Sequence, residues 1–492
     1  MNVKISKLTE IIDHYEIKGS PDVEVSGLSY NSKNVQKQNL FVCLEGLDTD
    51  GHLFSNDAAG HGAVAFLVNR WIEDLSDKVT QIKVKDTRLA MGLISAQFYG
   101  WPSNKLKLVG VTGTNGKSTT AEFIRSIATA ANEPTGLIGT LGVFIKNKRH
   151  ESPNTTPESA EIQKIFFEMV NKGVKLCVME VSSHAIDQYR FVGCKFDALI
   201  FTNLSQDHLD YHKDMDRYFS VKLSLFQSKA SKKENVFNVI NNDDEWGREI
   251  LKENSVVGKK FSYGLKDHDN KPDFMGQIVN SGLAGTSASY YLNTKDKVEV
   301  NVNLIGKFNV SNALAAASVC TLLNYENEHV KEGIESLKKI PGRCEIINTG
   351  SFFVIIDYAH TPDGLKNLLI NLKKNAGKII LVFGCGGDRD RKKRPIMGKI
   401  ADELSDFTVI TSDNPRSEDP KDIIKEIVAG IKNKNNIEII ADRKKAIFYA
   451  VGIAEKGDLV VIAGKGHERY QEIKGERHHF SDREVAEEAL NQ

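Results

Sequence analysis

The feature that most restricts the fold is an alternation of short apolar runs with longer helical patterns. β-Branched runs occur at 107–112, 176–181, 198–203, 352–357, 378–384, 407–412 and 459–464. Strands that alternate with helices build α/β layers with largely parallel sheets. The chain has 492 residues, enough for about three domains at roughly 150 residues each. The expected division is 1–103, 104–340 and 341–492, with Pro341-Gly342 as a hinge.

Composition narrows the partners. Lys plus Arg and Asp plus Glu are each 65, so the formal net charge is zero. That balance gives no support for nucleic acid or an anionic membrane as the main partner. The six cysteines are scattered and form no CxxC pair. They read as reduced, buried thiols of a cytosolic protein. Residues 1–20 carry no apolar core of a signal peptide. No run of about 18 apolar residues is present. The expectation is a cytoplasmic monomer acting on soluble small molecules.

The strongest local signal is Gly113-Thr114-Asn115-Gly116-Lys117-Ser118-Thr119. A strand-like run leads into it, and a helical pattern at 121–131 follows. A phosphate loop requires that context. Glycines let backbone N–H groups turn toward one anion, and the helix N-terminus adds partial positive charge. Lys117 would reach the β- and γ-phosphates, and Ser118 would offer a hydroxyl to Mg²⁺. The spacing departs from GxxxxGK[ST], because Val111 stands where the first glycine belongs.

Other polar loops also follow apolar runs. Glu180 precedes Ser182-Ser183-His184, and Asp207-His208 lies beyond the next run. Functional residues of open parallel sheets gather at the carboxyl ends of strands. There a Glu and a His could share a divalent cation with phosphates, or be satisfied loop residues. Gly384-Cys385-Gly386-Gly387-Asp388-Arg389 is half of a dinucleotide fingerprint, without a full GxGxxG. The charges Arg389, Arg391, Lys392, Lys393 and Arg394 are either a solvated face or an anion-recognition cluster. Asp413-Asn414-Pro415-Arg416 and Gly464-Lys465-Gly466-His467-Glu468 follow two further runs. Three such loops in one domain suggest a substrate pocket.

Together these motifs resemble the Mur ligases along nearly the whole chain. Further carriers are Asn154-Thr155-Thr156-Pro157, Pro341-Gly342-Arg343 and Asp357-Tyr358-Ala359-His360-Thr361-Pro362-Asp363. The resemblance implies an N-terminal uridine-binding domain, a central P-loop ATPase domain on a parallel sheet and a Rossmann-like C-terminal domain. The implied reaction is ATP-dependent addition of meso-diaminopimelate to UDP-N-acetylmuramoyl-L-alanyl-D-glutamate, a step of cell-wall precursor synthesis. Lys117, Lys222, His208 and Glu180 become the catalytic set, with Ser118, Glu180, His208 and Lys222 toward Mg²⁺. Lys222 matches a lysine that is carbamylated in many of these enzymes. The nucleotide set adds Gly113, Thr114, Asn115, Gly116, Thr119, Asn312, Arg343, Asp357 and His360. Ser32, Thr155, Thr156, Ser182, Gln188 and Arg190 are implied to hold the UDP-muramoyl dipeptide. Arg389, Asp413, Asn414, Pro415, Arg416, Gly464 and Glu468 are implied to hold the amino acid. The family usually shows Asp-Ser-Arg near the uracil; here the stretch is Asn31-Ser32-Lys33.

The amino-acid choice rests on Arg416. A guanidinium pairs with the distal carboxylate of diaminopimelate and repels the ammonium of lysine. Asn414 could bond the same group, and Glu468 could take an ammonium. The rivals are a lysine-adding member of the family, a folylpolyglutamate synthase-like ligase and, from another class, a P-loop kinase.

Overall fold

The computed structural model describes residues 2–46, 49–229, 232–266, 271–283, 285–292, 297–373 and 377–491. Among the described residues three large sheets follow one another along the chain, beside two small two-stranded ones. The first has five strands in the order Glu16–Lys18, Thr80–Lys83, Ala63–Val68, Asn39–Val42 and Gly27–Ser29. Its members are parallel except at the Glu16–Lys18 edge. Asn39–Val42 is buried at every position, as expected of a strand covered on both faces. Leu40 and Val42 face helix Thr87–Phe98, while Phe41 and Phe66 fill the other side.

The central sheet has eleven strands. Its middle is parallel: Thr135–Gly139, Leu176–Glu180, Lys107–Thr112, Phe196–Phe201, Lys232–Asn241 and Lys259–Gly264 lie side by side in that order. The expectation of a parallel sheet holds there and fails at the flanks. Gly142–Ile145 and Lys148–His150 add antiparallel strands at one end. Phe274–Gly282, Gly285–Tyr291 and Lys297–Val302 form an antiparallel meander at the other. One face of that meander is solvated, and its last strand alternates exposed and buried residues accordingly.

Helices Lys117–Ala130 and Lys307–Leu322 pack together over this sheet. The second is buried almost all round, so it shows no apolar stripe; Ala313, Ala315, Ala316 and Ala317 allow the close approach. Lys107–Thr112 is flanked by Leu176–Glu180 and Phe196–Phe201, and the loops after all three open on one edge.

The third sheet orders Glu345–Asn348, Phe353–Asp357, Leu459–Ala463, Ile379–Phe383, Phe407–Ile410 and Ile437–Ile439. Only its first pairing is antiparallel. Helices Pro362–Lys373, Lys393–Leu404 and Pro420–Val428 cover one face; Arg443–Gly452 and Asp482–Leu490 cover the other. A hairpin, Tyr470–Ile473 with Glu476–His479, stands beside it. All six cysteines are buried and free.

Candidate active site

The loop after Lys107–Thr112 turns on two glycines with positive φ, Gly113 at 145° and Gly116 at 87°. A Cβ on Gly113 would meet Thr202 Oγ1 at 1.9 Å, and one on Gly116 would meet Asn312 Oδ1 at 2.4 Å. Only glycine fits either position. The loop is fastened from the neighbouring strand end. Thr114 N–H donates to the Asn203 carbonyl at 2.9 Å, and Asn115 N–H donates to Asn203 Oδ1 at 2.9 Å. Gly116 gives helix Lys117–Ala130 no side-chain cap. The first N–H groups of that helix therefore face the cavity, with the positive end of the helix dipole behind them.

Lys117 Nζ donates to the Gly113 and Thr114 carbonyls at 2.9 and 2.8 Å. Burial lowers its pKa from the ordinary lysine value. Ser118 Oγ donates to Glu180 Oε2 at 3.0 Å and accepts from Arg343 Nη2 at 3.2 Å. Thr140 holds Glu180 twice, through its N–H at 2.9 Å and its hydroxyl at 3.1 Å. That hydroxyl also meets Thr155 at 3.1 Å. Thr114, Asn115, Thr119, Ser182, His208, Asn312, Asp357 and His360 line the same cavity, of about 240 Å³. Burial pushes His208 down to about 3, which leaves its imidazole neutral.

Lys222 lies beneath the loop on helix Met215–Gln227, fully buried. Its Nζ donates to the Gly113 carbonyl at 3.0 Å and sits 4.9 Å over the Tyr218 ring. Burial, reinforced by the charge of Lys117, lowers its pKa well below the ordinary value. Thr156, Gln188 and Arg190 form an adjoining cluster. Arg190 Nη1 donates to the Thr156 carbonyl at 2.8 Å, and its Nη2 donates to Gln188 Oε1 at 2.7 Å. Glu158 pairs with Arg190 at 3.0 Å and with Arg88 of the first domain at 3.3 Å. Ser32 is buried at the start of a short 3-10 turn and does not line the cavity.

A second cavity of about 180 Å³ lies between the loops of the third sheet and Asp207-His208 of the central one. Arg389, Asp413, Asn414, Arg416, Gly464 and Glu468 line it. Pro415 does not; it lines a separate cleft on the other side of its loop. Asn414 Nδ2 donates to Glu468 Oε2 at 2.8 Å, and Lys465 Nζ reaches Asn414 Oδ1 and Glu468 Oε2, both at 2.9 Å. Burial works against ionising Asp413, yet the charges of Lys465 and Arg443 hold it below the usual carboxylate range.

Asp207, His208, Tyr358 and His360 border both cavities. Cross-domain contacts surround them: Lys393 Nζ to Asp207 at 3.5 Å, Gln206 to Asp390 at 3.1 Å, and Asn115 to Asp363 at 3.2 Å. The charge run of 389–394 divides accordingly. Arg389 lines the second cavity, and Lys393 is buried against Asp207. Arg391 pairs with Glu426 at the surface. Arg394 is fully buried and pairs with Glu418 and Glu426 at 2.7 and 2.8 Å.

Thr140, Asp207, Lys393 and Lys465 are participants that sequence reasoning did not single out as site residues. Thr140 follows a strand end, so the rule that gathers function there could have flagged it.

Three family descriptions match the chain: Mur ligase family, catalytic domain, at residues 24–99; Mur ligase middle domain at 111–320; and Mur ligase, glutamate ligase domain, at 342–466. The UDP-N-acetylmuramoyl-L-alanyl-D-glutamate--2,6-diaminopimelate ligase of Clostridium botulinum is 43% identical, over 95% of this chain and 96% of its own length. The chain belongs to the Mur ligase family. Another Mur ligase, from Clostridium acetobutylicum with the same name numbered 1, is 43% identical over the full length of both chains. A solved structure of a UDP-N-acetylmuramoyl-L-alanyl-D-glutamate--2,6-diaminopimelate ligase superposes with a TM-score of 0.69 at 31% identity, covering 100% of this chain and 99% of the other. The Mycobacterium tuberculosis folylpolyglutamate synthase shares the fold at 18% identity, a TM-score of 0.64 and 76% coverage of this chain. No helix among the described residues is long and apolar enough to cross a membrane.

Proposed function

We propose that this Mur ligase uses ATP to add meso-diaminopimelate to UDP-N-acetylmuramoyl-L-alanyl-D-glutamate through an acyl phosphate. The division 1–103, 104–340 and 341–492 then separates a UDP-binding, an ATP-binding and an amino-acid-binding domain. The observation that carries the reading is the junction of two cavities. One is built on Gly116-Lys117-Ser118 and the other on Asn414, Arg416 and Glu468, and they meet at Asp207, His208, Tyr358 and His360.

A carboxylate does not acylate an amine in water at a useful rate. In the proposed sequence a γ-carboxylate oxygen of the D-Glu attacks the γ-phosphorus of ATP, and ADP leaves. The amine nitrogen then attacks the acyl carbon, inorganic phosphate leaves, and the nitrogen loses a proton. The first step brings two anions together. Lys117, the open N–H groups of its helix and Arg343 offset that repulsion. Thr155, Thr156, Ser182, Gln188 and Arg190 orient the UDP-muramoyl dipeptide, while Ser32, outside this cavity, belongs to the uridine end in the first domain. Asn312, Asp357 and His360 border the nucleotide.

The donors Ser118, Glu180 and His208 fit a hard divalent cation. A hydroxyl and a carboxylate already touch, a neutral imidazole lines the same wall, and phosphate oxygens and water would complete the shell. Mg²⁺ bound there supplies positive charge to the phosphates. The neutral amine of Lys222 is the form that adds to CO₂, losing a proton and becoming a carbamate anion. Docking of the third domain over the second excludes water from the acyl phosphate.

The test is mass spectrometry of the product formed from ATP, the UDP-muramoyl dipeptide and a mixture of diamino acids. The diaminopimelate amide should dominate, and oxygen-18 in the acid substrate should pass into inorganic phosphate. A phosphorylated end product, or a dominant lysine amide, would overturn the assignment.

A further inference from the structure

The loop that carries Asn414 and Arg416 is clamped by the hairpin beside it. Gln471 Nε2 donates to the Asp413 carbonyl at 2.6 Å, and the Glu472 N–H donates to Asn414 Oδ1 at 2.9 Å. The Arg416 N–H donates to the Glu472 carbonyl at 3.0 Å, and the Lys474 N–H donates to the Arg416 carbonyl at 2.7 Å. These bonds hold Arg416 at a φ of 51°, in the left-handed region that non-glycine residues seldom occupy. Its guanidinium already has two partners. Nη1 donates to the Gly387 carbonyl at 2.6 Å, and Nε lies 3.7 Å from Glu472 Oε2. The two side chains are 22% and 25% exposed, so water screens the pair only in part.

We propose that Glu472 is a specificity-determining residue that tempers Arg416. The inference rests on the diaminopimelate reading above. Arg416 attracts a distal carboxylate and repels a distal ammonium, and a neighbouring carboxylate weakens both effects. Glu472 takes the Nε side of the guanidinium, so substrate meets a cation whose charge is already shared. Glu472 does not line the cavity; it acts through Arg416. Discrimination between diaminopimelate and lysine is then set by the pair, with Glu472 relaxing what Arg416 imposes.

Glu472→Gln keeps the size of the side chain and removes its charge. The measurement is steady-state amide formation with meso-diaminopimelate and with L-lysine. The KM for diaminopimelate should fall about two- to fivefold and that for lysine should rise by a similar factor, the range of a partly exposed ion pair. Added salt should shrink both changes. Damage to the hairpin would move the diaminopimelate KM upward, the opposite sign. In an Arg416→Ala background the same substitution should change neither KM. An unchanged or raised diaminopimelate KM in the single variant overturns the inference, as does an equal fall in the Arg416→Ala background. Wild-type protein that forms neither amide overturns the parent reading and this inference with it. Wild-type protein that forms the diaminopimelate amide, beside an unresponsive variant, overturns the inference alone.

Discussion

The loop at 113–116 follows strand Lys107–Thr112 and runs at once into helix Lys117–Ala130. The loop at 384–392 follows strand Ile379–Phe383 and reaches helix Lys393–Leu404 only after several residues. Both are glycine-rich, and both leave a parallel strand at its carboxyl end. In the first, the helix start is uncapped and its N–H groups line a cavity. In the second, the protein uses the polar backbone itself. The Gly387 N–H donates to the Asn414 carbonyl, the Asp388 N–H to Glu418, and the Gly386 and Gly387 carbonyls accept from Arg394 and Arg416. The first loop offers backbone to an anion, whereas the second is a scaffold that aims side chains. A glycine pattern does not distinguish them; the distance to the next helix does.

The largest test of this contrast is on the scaffold. Arg394→Ala removes the buried cation shared by Glu418 and Glu426, which are themselves partly exposed, and should cost about 3 kcal/mol of stability, read by thermal melting. The hydrogen bond from Arg394 holds Glu418 down to about 2, against an ordinary 4.5. A depressed folded-state pKa stabilises above the unfolded value, so this contribution is complete above about pH 4.5 and is lost as pH falls toward about 2. The variant should lose that acid dependence. Next is the first loop: Lys117→Ala should lower turnover about a hundred- to a thousandfold with the fold intact, measured by phosphate release. A smaller loss would mean that the helix N-terminus carries the charge stabilisation alone.

Arg416→Ala should raise the KM for diaminopimelate about ten- to a hundredfold, from roughly 1.5–3 kcal/mol of charge-assisted hydrogen bonding, with the KM for ATP unchanged. The smallest effect is expected at Gly386, where an added Cβ would stand 3.0 Å from Arg416 Nη1. Gly386→Ala should raise the diaminopimelate KM a few-fold and leave nucleotide affinity alone. An effect on nucleotide affinity would break the separation between the loops.

Much of this was legible in sequence. Every apolar run at 107–112, 176–181, 198–203, 352–357, 378–384, 407–412 and 459–464 overlaps an observed strand, with ends displaced by at most two residues. The helix after the phosphate loop starts at Lys117, earlier than the apolar period alone indicates, because its first turn faces a cavity instead of the core. The Lys297–Val302 strand was readable as alternation, since Val298, Val300 and Val302 are buried between exposed neighbours. The place of Thr140 after a strand end was open to reading, but its contact with Glu180 was not. Its importance arises only because Thr135–Gly139 pairs with Leu176–Glu180, with Ile138 opposite Met179, which brings the next turn to Glu180. The run at 389–394 was ambiguous for a related reason. Helix Lys393–Leu404 begins inside it, so adjacent charges leave the backbone in different directions.

The four side chains common to both cavities make a doorway between two rooms. A compound with a phosphate mimic at one end and an amino-acid head at the other would need to cross only that threshold. Joining the halves turns the second contact into an intramolecular event, so weak fragments gain affinity through effective concentration. The useful linker is the one whose length matches the passage beside Asp207 and His360.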